Sequence, residues 1–597
     1  MTTVLRTPPT WRPVSVGTND TDIRRWRILA VASVIVGCML VLVARLVYIQ
    51  VVEHSHFQTM ATSEHWRRSI LPPRRGDIVD VHGNPLAASV DYDSLYASTT
   101  EISNPKGVAG KLAPILNEPA ASIEAKLAKT QDAPTLIKPW LSDQAATQVR
   151  RLAINGLYLQ TEPKRVYPQG NLAAQVLGVV GVDNNGLSGL ELEFNSQLAG
   201  KPGVLVAERD TAGDAIAFGP HQYTAPVNGS KLYLTIDRYV QWVADRELAA
   251  AVKQHHASGG SVIVMDPHTG AILAMAGRPT FQHDSPNLYS NKNVALYDIP
   301  AVSAAYEPGS TFKIVTMSAA LDTGTVTPTT SYFNPGYFKY YGGVIHNAFW
   351  RQPGMESMTQ VLIYSSNIGA AWAATHVGAT RFYEYAQRFG IGQRTGIDLP
   401  GESAGILRLP TDPGWYPFDL ATNAFGQGVS VTPIQLITAA AAVANGGTLM
   451  KPYVVSKIEG PSGTRLFYPT VVRQVIRPDS AKKLTKMLVA VVDDNTLGES
   501  RFARVPGYAV AGKTGTAQIP VPGGYSNNRT IASFVGFVPA GNPRFVILVR
   551  VDDPKDTPWG ETVAAPVFSA IAKQLLNYYQ IPPTRPVPGN GTQVAPP

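Results

Sequence analysis

Apolar and polar positions along this chain fall into three regimes. The first is an unbroken apolar run, "ILAVASVIVGCMLVLVA" from Ile28 to Ala44, which continues past Arg45 into "LVYIQVV". Together the two stretches are long enough to cross a hydrocarbon core as one helix, with Arg45 snorkelling to the interface. Arg24, Arg25 and Arg27 precede the run and predict a cytoplasmic N-terminus. No small-residue cleavage pattern follows, so the run reads as an uncleaved anchor and not as a signal peptide. The chain after about residue 52 is then extracytoplasmic.

The second regime, residues 53–225, mixes short periodicities. "RRGDIVDVHGNPLAASV" predicts two short strands about a His-Gly-Asn turn, while "ASIEAKLAKT" and "SDQAATQVRRLA" predict helices. "NLAAQVLGVVGVDNNGLSGLELEFNSQL" reads as a helix, a Gly/Asn-rich loop and a second helix. No nucleophile, base and oxyanion donor cluster here, so the region reads as a structural or interaction module.

The third regime, residues 226–580, carries long, strongly patterned elements. "DRYVQWVADRELAAAVKQH" has helical spacing with Asp237 as N-cap, and "GSVIVMDPHTGAILAMAG" is a hairpin. "IASFVGFVP" and "RFVILVRVDDP" flank a second turn, and with "YAVAGKTGTAQ" they make five strands suited to antiparallel pairing. "APVFSAIAKQLLNYY" closes the region as an amphipathic helix, and residues 303–450 between the strand groups read as mostly helical. The fold class expected is α/β: a five-stranded antiparallel sheet flanked by helices, an α+β N-terminal module and one transmembrane helix. The segments 1–27 and 581–597 read as a cytoplasmic tail and a Pro-rich disordered tail, on either side of an anchor at 28–52.

Composition narrows the function. With 44% hydrophobic and 16% charged residues the chain is a folded protein. A net charge of +8 spread without basic runs argues against nucleic-acid binding. The single cysteine, Cys38, excludes an intramolecular disulfide, a cysteine zinc site and a CxxC redox motif. No metal and no cofactor is expected.

Candidate chemistry gathers at "YEPGSTFKIVTMSAA". Ser-x-x-Lys occurs three times, at Ser103, Ser310 and Ser480. After Glu307-Pro308-Gly309, Ser310 falls in the first turn of a helix closing near Gly324, where free N–H groups and the helix dipole favour developing negative charge. Lys313 lies on the same face, and a partly desolvated lysine can act as base toward a serine. Ser103 precedes "NPK", where the proline is expected to break any helix, and Ser480 opens "SAKKLTK"; both read as solvated. "YSSNIG" offers Ser365, whose hydroxyl can relay a proton, and Asn367, whose amide can bind a peptide carbonyl. "AGKTGTAQ" holds the chain's one Lys-Thr-Gly. There Lys513 supplies charge for a carboxylate, Thr514 and Thr516 supply hydroxyls, and Gly515 removes a side chain where another backbone must approach.

In this order the three motifs resemble those of penicillin-binding proteins and serine β-lactamases. "RRGDIVDVHGNPLA", "RVYPQGNLAAQVLGVVG", "GLSGLE", "MDPHTGAILAMAGRPTF", "LPGESAG", "AFGQGVSVTPIQLITAAAAVANGG" and "ASFVGFVPAGNPRFVILV" extend the resemblance to nearly the whole chain. They mark it as similar to a class B penicillin-binding protein of the division type, a monofunctional peptidoglycan D,D-transpeptidase. The resemblance implies that Ser310 is the acylated nucleophile, Lys313 its base and Ser365 a proton shuttle toward the leaving D-alanine. Asn367 would orient the donor peptide, and Lys513 and Thr514 would hold its carboxylate. The N–H groups of Ser310 and Thr516 would form the oxyanion hole. It further implies stem peptides ending in D-Ala-D-Ala and β-lactams as ligands. Partners implied are a membrane glycan polymerase of the SEDS type and divisome or elongasome proteins, met through residues 53–225.

Rival readings share some of these residues. A class A β-lactamase needs a deacylation base within Glu-x-x-x-Asn, and after Glu402 the corresponding residue is Ile406. A D-Ala-D-Ala carboxypeptidase differs only in using water as acceptor, and an elongation enzyme differs only in where it works. A membrane β-lactam sensor would want several spans or a cytoplasmic effector domain, and a bifunctional class A protein a glycosyltransferase domain.

Overall fold

The computed structural model describes residues 19–57, 66–129, 134–181, 183–208, 221–285, 288–289, 291–348, 353–495 and 500–586. Both expected tails lie largely outside these residues. Two compact units separate, one of residues 1–71 with 203–225 and one of residues 72–202 with 226–597.

In the first unit, helix α1 (Asn19–Val47) starts within the segment read as a cytoplasmic tail and runs on into a π-helical turn, Tyr48–Val52. Its span Arg24–Val52 is long and apolar enough to cross a membrane, and none of its most apolar window is buried. Val34, Leu40 and Val41 are each more than 60% exposed, which a helix apolar on all sides tolerates only in lipid. The same unit holds an antiparallel sheet with Gly203–Glu208 between Trp66–Leu71 and His221–Thr224.

In the second unit, the helices Pro105–Leu116, Ala120–Leu127 and Asp143–Leu152 pack around a small core that includes Leu112, Ile123, Ile137 and Val149. Pro105 starts a helix where a break was expected: Asn104 is its N-cap, accepting from Gly107 N–H, and proline fits the first helical position because that N–H has no intrahelical partner. The predicted strands about the His-Gly-Asn turn form at Ile78–Val79 and Pro85–Ala97. They belong to a seven-stranded sheet in which Ile78–Val79 pairs in parallel with Lys231–Leu234, which pairs in turn with Val455–Gly460. Hydrogen bonding therefore runs across residues 225 and 226.

Beyond this sheet, helix α2 (Arg238–Gln254) is capped by Asp237, whose Oδ1 accepts from Tyr239 N–H at 2.8 Å. Strands β1 (Gly259–Met265) and β2 (Ile272–Arg278) form the predicted hairpin. The middle region is mostly helical, with helix α3 (Lys313–Asp322) buried at nearly every position. It also contains two ribbons not read from the sequence, Ser331–Asn334 with Gly354–Ser357, and β3 (Phe338–Tyr340) with β4 (Gly343–Ile345). Helix α4 (Asn367–Val377) follows. Strands β5 (Ala511–Val521), β6 (Gly524–Val538) and β7 (Phe545–Asp552) complete an all-antiparallel sheet of order β2-β1-β7-β6-β5. Helix α5 (Gly560–Tyr578) covers one face with α2.

Both faces of this sheet are buried. Val262, Val264, Ile547 and Val549 point into the core beneath α2 and α5, whereas Ile263, Met265, Val546 and Leu548 point into the larger core that contains α3. That is why β1 and β7 read as continuous apolar runs without alternation. The sheet is thus a rigid wall whose free edge, β5, is turned to the helical region.

Candidate active site

Ser310 sits in a single 3-10 turn, Gly309–Phe312, that leads directly into α3. The turn is held from two sides. Gly309 N–H donates to the Gly426 carbonyl at 3.1 Å, and Thr311 Oγ1 donates to the Pro308 carbonyl at 2.7 Å. Gly426 has φ +81°, and a Cβ there would lie 2.2 Å from the Gly309 carbonyl oxygen. Gly515 on β5 faces the same turn: a Cβ on it would lie 2.9 Å from Thr311 Cγ2 and 3.0 Å from the Pro308 oxygen. The strand and the Gly426 loop approach the Ser310 turn this closely because both positions lack a side chain.

Lys313, the first residue of α3, is fully buried. Its Nζ lies 2.9 Å from Ser310 Oγ, 2.9 Å from Asn367 Oδ1, 3.3 Å from Ser365 Oγ and 2.5 Å from the Ser365 carbonyl oxygen. Ser365 adopts φ +52°, a left-handed conformation uncommon outside glycine, which presents both its oxygens to the lysine. The middle residue of the triplet acts locally, Ser366 being the N-cap of α4 with its Oγ accepting from Gly369 N–H at 3.1 Å. Asn367 Nδ2 donates to the His346 carbonyl at 3.3 Å, and Asn347 Oδ1 accepts from Ile368 N–H at 3.2 Å.

On β5, Thr514, Thr516 and Gln518 alternate onto the cleft side. Lys513 lies behind them, fully buried, with Nζ 3.2 Å from Thr514 Oγ1. It is therefore placed to act on a ligand through Thr514. Thr516 Oγ1 accepts from Gly560 N–H at the start of α5 at 3.0 Å, which fixes that end of the strand. Ser310, Ser365, Asn367, Thr514 and Thr516 thus line one open cleft of about 840 Å³, with Lys313 and Lys513 buried behind Ser310 and Thr514.

The other two Ser-x-x-Lys pairs are elsewhere. Ser103 is exposed. Ser480 is not solvated as expected: it is 2% exposed in helix Pro478–Asp493 and hydrogen-bonds Asp322, while Lys483 pairs with Asp479 at 2.6 Å. Glu402 is also committed to its own loop, accepting from Thr395 N–H at 2.6 Å and Gly396 N–H at 3.0 Å.

Several wall residues carried no local signal in the sequence. Ser500, fully buried, places its Oγ 3.5 Å from Thr514 Oγ1. Phe418, Tyr525 and Trp559 line the cleft. Tyr525 O–H donates to Glu307 Oε1 at 3.1 Å, and Gly428 N–H donates to the same oxygen at 2.9 Å. Burial raises the Glu307 carboxyl above its ordinary value, the hydrogen bonds from Gly428 and Tyr525 working against it. Burial, with Glu307 alongside, pushes the Tyr525 phenol up to about 12.

Known proteins match both regions. Residues 260–573 match the penicillin binding protein transpeptidase domain, and residues 70–234 match the penicillin-binding protein dimerisation domain. Stage V sporulation protein D of Bacillus subtilis is 34% identical over 576 residues, covering 94% of this chain and 87% of its own length. Peptidoglycan D,D-transpeptidase FtsI of Escherichia coli is 30% identical over 566 residues, covering 94% and 92%. The crystal structure of penicillin-binding protein 3 from Mycobacterium tuberculosis in complex with aztreonam superposes with a TM-score of 0.68 at 28% identity, over 87% of this chain and 99% of that one. With one family model spanning more than half its length and full-length relatives above 30% identity, this chain belongs to the class B penicillin-binding proteins.

Proposed function

We infer that the protein is a peptidoglycan D,D-transpeptidase, a serine enzyme open to β-lactam inhibition, anchored by a single membrane span. The observation that carries the mechanism is Lys313 Nζ, buried and 2.9 Å from both Ser310 Oγ and Asn367 Oδ1. In its neutral form the amine takes the Ser310 proton as Oγ attacks the penultimate D-alanine carbonyl. The oxyanion that forms is met by the N–H groups of Ser310 and Thr516. As the peptide C–N bond breaks, the proton passes from Lys313 by way of Ser365 Oγ to the leaving D-alanine amine. The acceptor amine then attacks the ester, gives up a proton along the same path in reverse, and Ser310 Oγ leaves with that proton. Thr514, backed by Lys513, receives the donor carboxylate. Glu402 is held in another loop, which supports a long-lived β-lactam adduct.

Several finer readings join this one. The arginines before the span support a cytoplasmic N-terminus, and the Ser-Ser-Asn and "LPGES" segments support work at the division septum. Residues 53–225 serve as the docking module for a SEDS-type polymerase and other divisome proteins, ahead of a transpeptidase domain at 226–580. The test of the central reading uses the full chain in detergent. Penicillin treatment followed by peptide mass spectrometry should place the adduct on Ser310, and Ser310→Ala should abolish it. Incubation with polymerised lipid-linked precursor should yield crosslinked muropeptide dimers. Monomers shortened by one D-alanine, without dimers, would make it a carboxypeptidase instead.

A further inference from the structure

Strands β3 and β4 are joined by Tyr341 and Gly342, both at positive φ, +42° and +81°. A two-residue hairpin loop of this form selects Asn-Gly, because asparagine and glycine enter the left-handed region with least strain. Here a tyrosine occupies the first position, and it is 72% exposed. Its ring meets only the edge of Tyr340, at 4.8 Å between centroids, among the described ring contacts. Tyr341 therefore breaks two local rules at once, in backbone conformation and in apolar exposure, with little packing in return. Such a residue is better explained by what it binds than by the fold.

Its neighbours extend the feature. Tyr337 is 45% exposed, with Lys339 Nζ 5.5 Å from its ring centroid. Residues 331–348 include Lys339 and no acid. The hairpin is held firmly to the catalytic wall. Gly343 lies flat on Phe418, where a Cβ would come within 2.1 Å of the ring, and Ile345 is buried. Val344 to Ala348 line the cleft, and His346 and Asn347 are hydrogen-bonded to the start of α4.

We propose that this hairpin is a docking rim for the glycan strand whose stem peptide enters the cleft, with Tyr341 and Tyr337 stacking on sugar rings and Lys339 meeting a stem-peptide carboxylate. The proposal rests on the transpeptidase reading and adds to it a contact with the polysaccharide. Continuity with the cleft selects the occupant: Val344 and Ile345, on the second strand of this hairpin, line the same cleft as Ser310. Size argues the same way. A stable protein interface needs about 800 Å² per partner, which a hairpin tip does not offer, whereas a sugar chain engages single exposed rings.

Tyr341→Asn is the test, because Asn-Gly is the preferred loop and the variant should melt at the same temperature or higher. With pre-polymerised, uncrosslinked glycan and no other protein, its rate of dimer formation should fall about fivefold to tenfold, the scale of one aromatic contact. Penicillin acylation and turnover of a sugar-free stem pentapeptide should keep their rates, and Tyr341→Phe should retain most crosslinking. Wild-type crosslinking of the polymer by Tyr341→Asn would overturn the proposal. So would an equal loss on the sugar-free pentapeptide, or a loss seen only when a membrane polymerase is added, which would make the occupant a protein. Failure of penicillin to acylate Ser310 in the unaltered protein would instead remove the transpeptidase reading on which the rim depends.

Discussion

Two buried polar clusters of the second unit are built from different groups. In the N-terminal module, Glu191 is fully buried between two guanidiniums, with Arg75 Nε at 2.5 Å and Arg165 Nε at 2.7 Å. Arg75 also donates to the Asn184 carbonyl at 2.9 Å, to Asn195 Oδ1 at 2.8 Å and to the Glu191 carbonyl at 2.7 Å. In the active site, the four oxygens named around Lys313 Nζ are all neutral. Opposite charges hold one another in place when buried, and hydrogen-bonding oxygens hold the Lys313 amine beside Ser310 Oγ. The first cluster is architecture, joining the strand that follows Arg75 to the helical turns around Glu191. The second surrounds the serine and lysine proposed to carry the chemistry.

The sharpest way to break this contrast is Lys313→Ala. It should slow penicillin acylation by about 10² to 10⁴, the range of a lost general base, while the melting temperature stays near that of the parent. A fluorescent-penicillin time course and a thermal melt give both numbers, and a rate within threefold of the parent would end the assignment. Glu191→Ala should behave inversely. It strands two buried guanidiniums, so denaturant unfolding should show a loss of about 3–5 kcal/mol, with acylation per folded molecule unaltered. A stability change below about 1 kcal/mol would mean the pair contributes little.

Gly426→Ala lies between these extremes, since it forces a side chain into the left-handed region and against the Gly309 carbonyl. A loss of about 1–3 kcal/mol is expected, together with slower acylation, because the displaced segment carries Ser310. Normal kinetics in a soluble Gly426→Ala protein would show that the turn is not fixed from that side.

The smallest effect should come from Glu307, a carboxylate with two neutral donors in place of the two guanidiniums around Glu191. Oxygen Oε2 of Glu307 has no hydrogen-bond partner among the described residues. Its folded-state value is raised by burial from the ordinary 4.5. The stability it contributes is therefore full below about that pH and is lost as pH climbs through the raised folded value. Glu307→Gln should match the parent at acid pH and be slightly more stable at neutral pH. Melting curves across pH 3.5 to 7.5 that stay parallel would contradict this sign.

Local signals were enough for much of the fold. The five strands of the catalytic sheet, the Asp237 cap and the closing helix were all legible, because apolar runs, turn residues and caps are written within a few neighbouring positions. The order of the strands was not, and neither was the pairing of Ile78–Val79 with Lys231–Leu234, because partners so distant leave no mark at either end. Ser480 shows the same limit. Its lysine-rich surroundings suggest solvent, yet the serine faces inward because in a helix only Asp479, Lys482 and Lys483 need turn outward. At the site, residue types and order pointed to Ser310, Lys313, Ser365, Asn367 and the Lys-Thr-Gly strand. Ser500 and Tyr525 were invisible there, since a lone hydroxyl or aromatic acquires meaning only from what folds against it.

The seven-stranded sheet also sets rules for cutting the gene. Val455–Gly460, deep in the C-terminal half, hydrogen-bonds to Lys231–Leu234, which ends the matched dimerisation region and leans in turn on Ile78–Val79. A fragment begun at residue 260 would keep the whole matched transpeptidase region and still leave Val455–Gly460 with a raw strand edge, open to the next molecule. A fragment begun at residue 66, which removes the span and keeps Trp66–Leu71 beside Gly203–Glu208, retains the partners of that edge. The shorter piece should come out of cells as aggregate and the longer one in solution, although both carry Ser310 and Lys313.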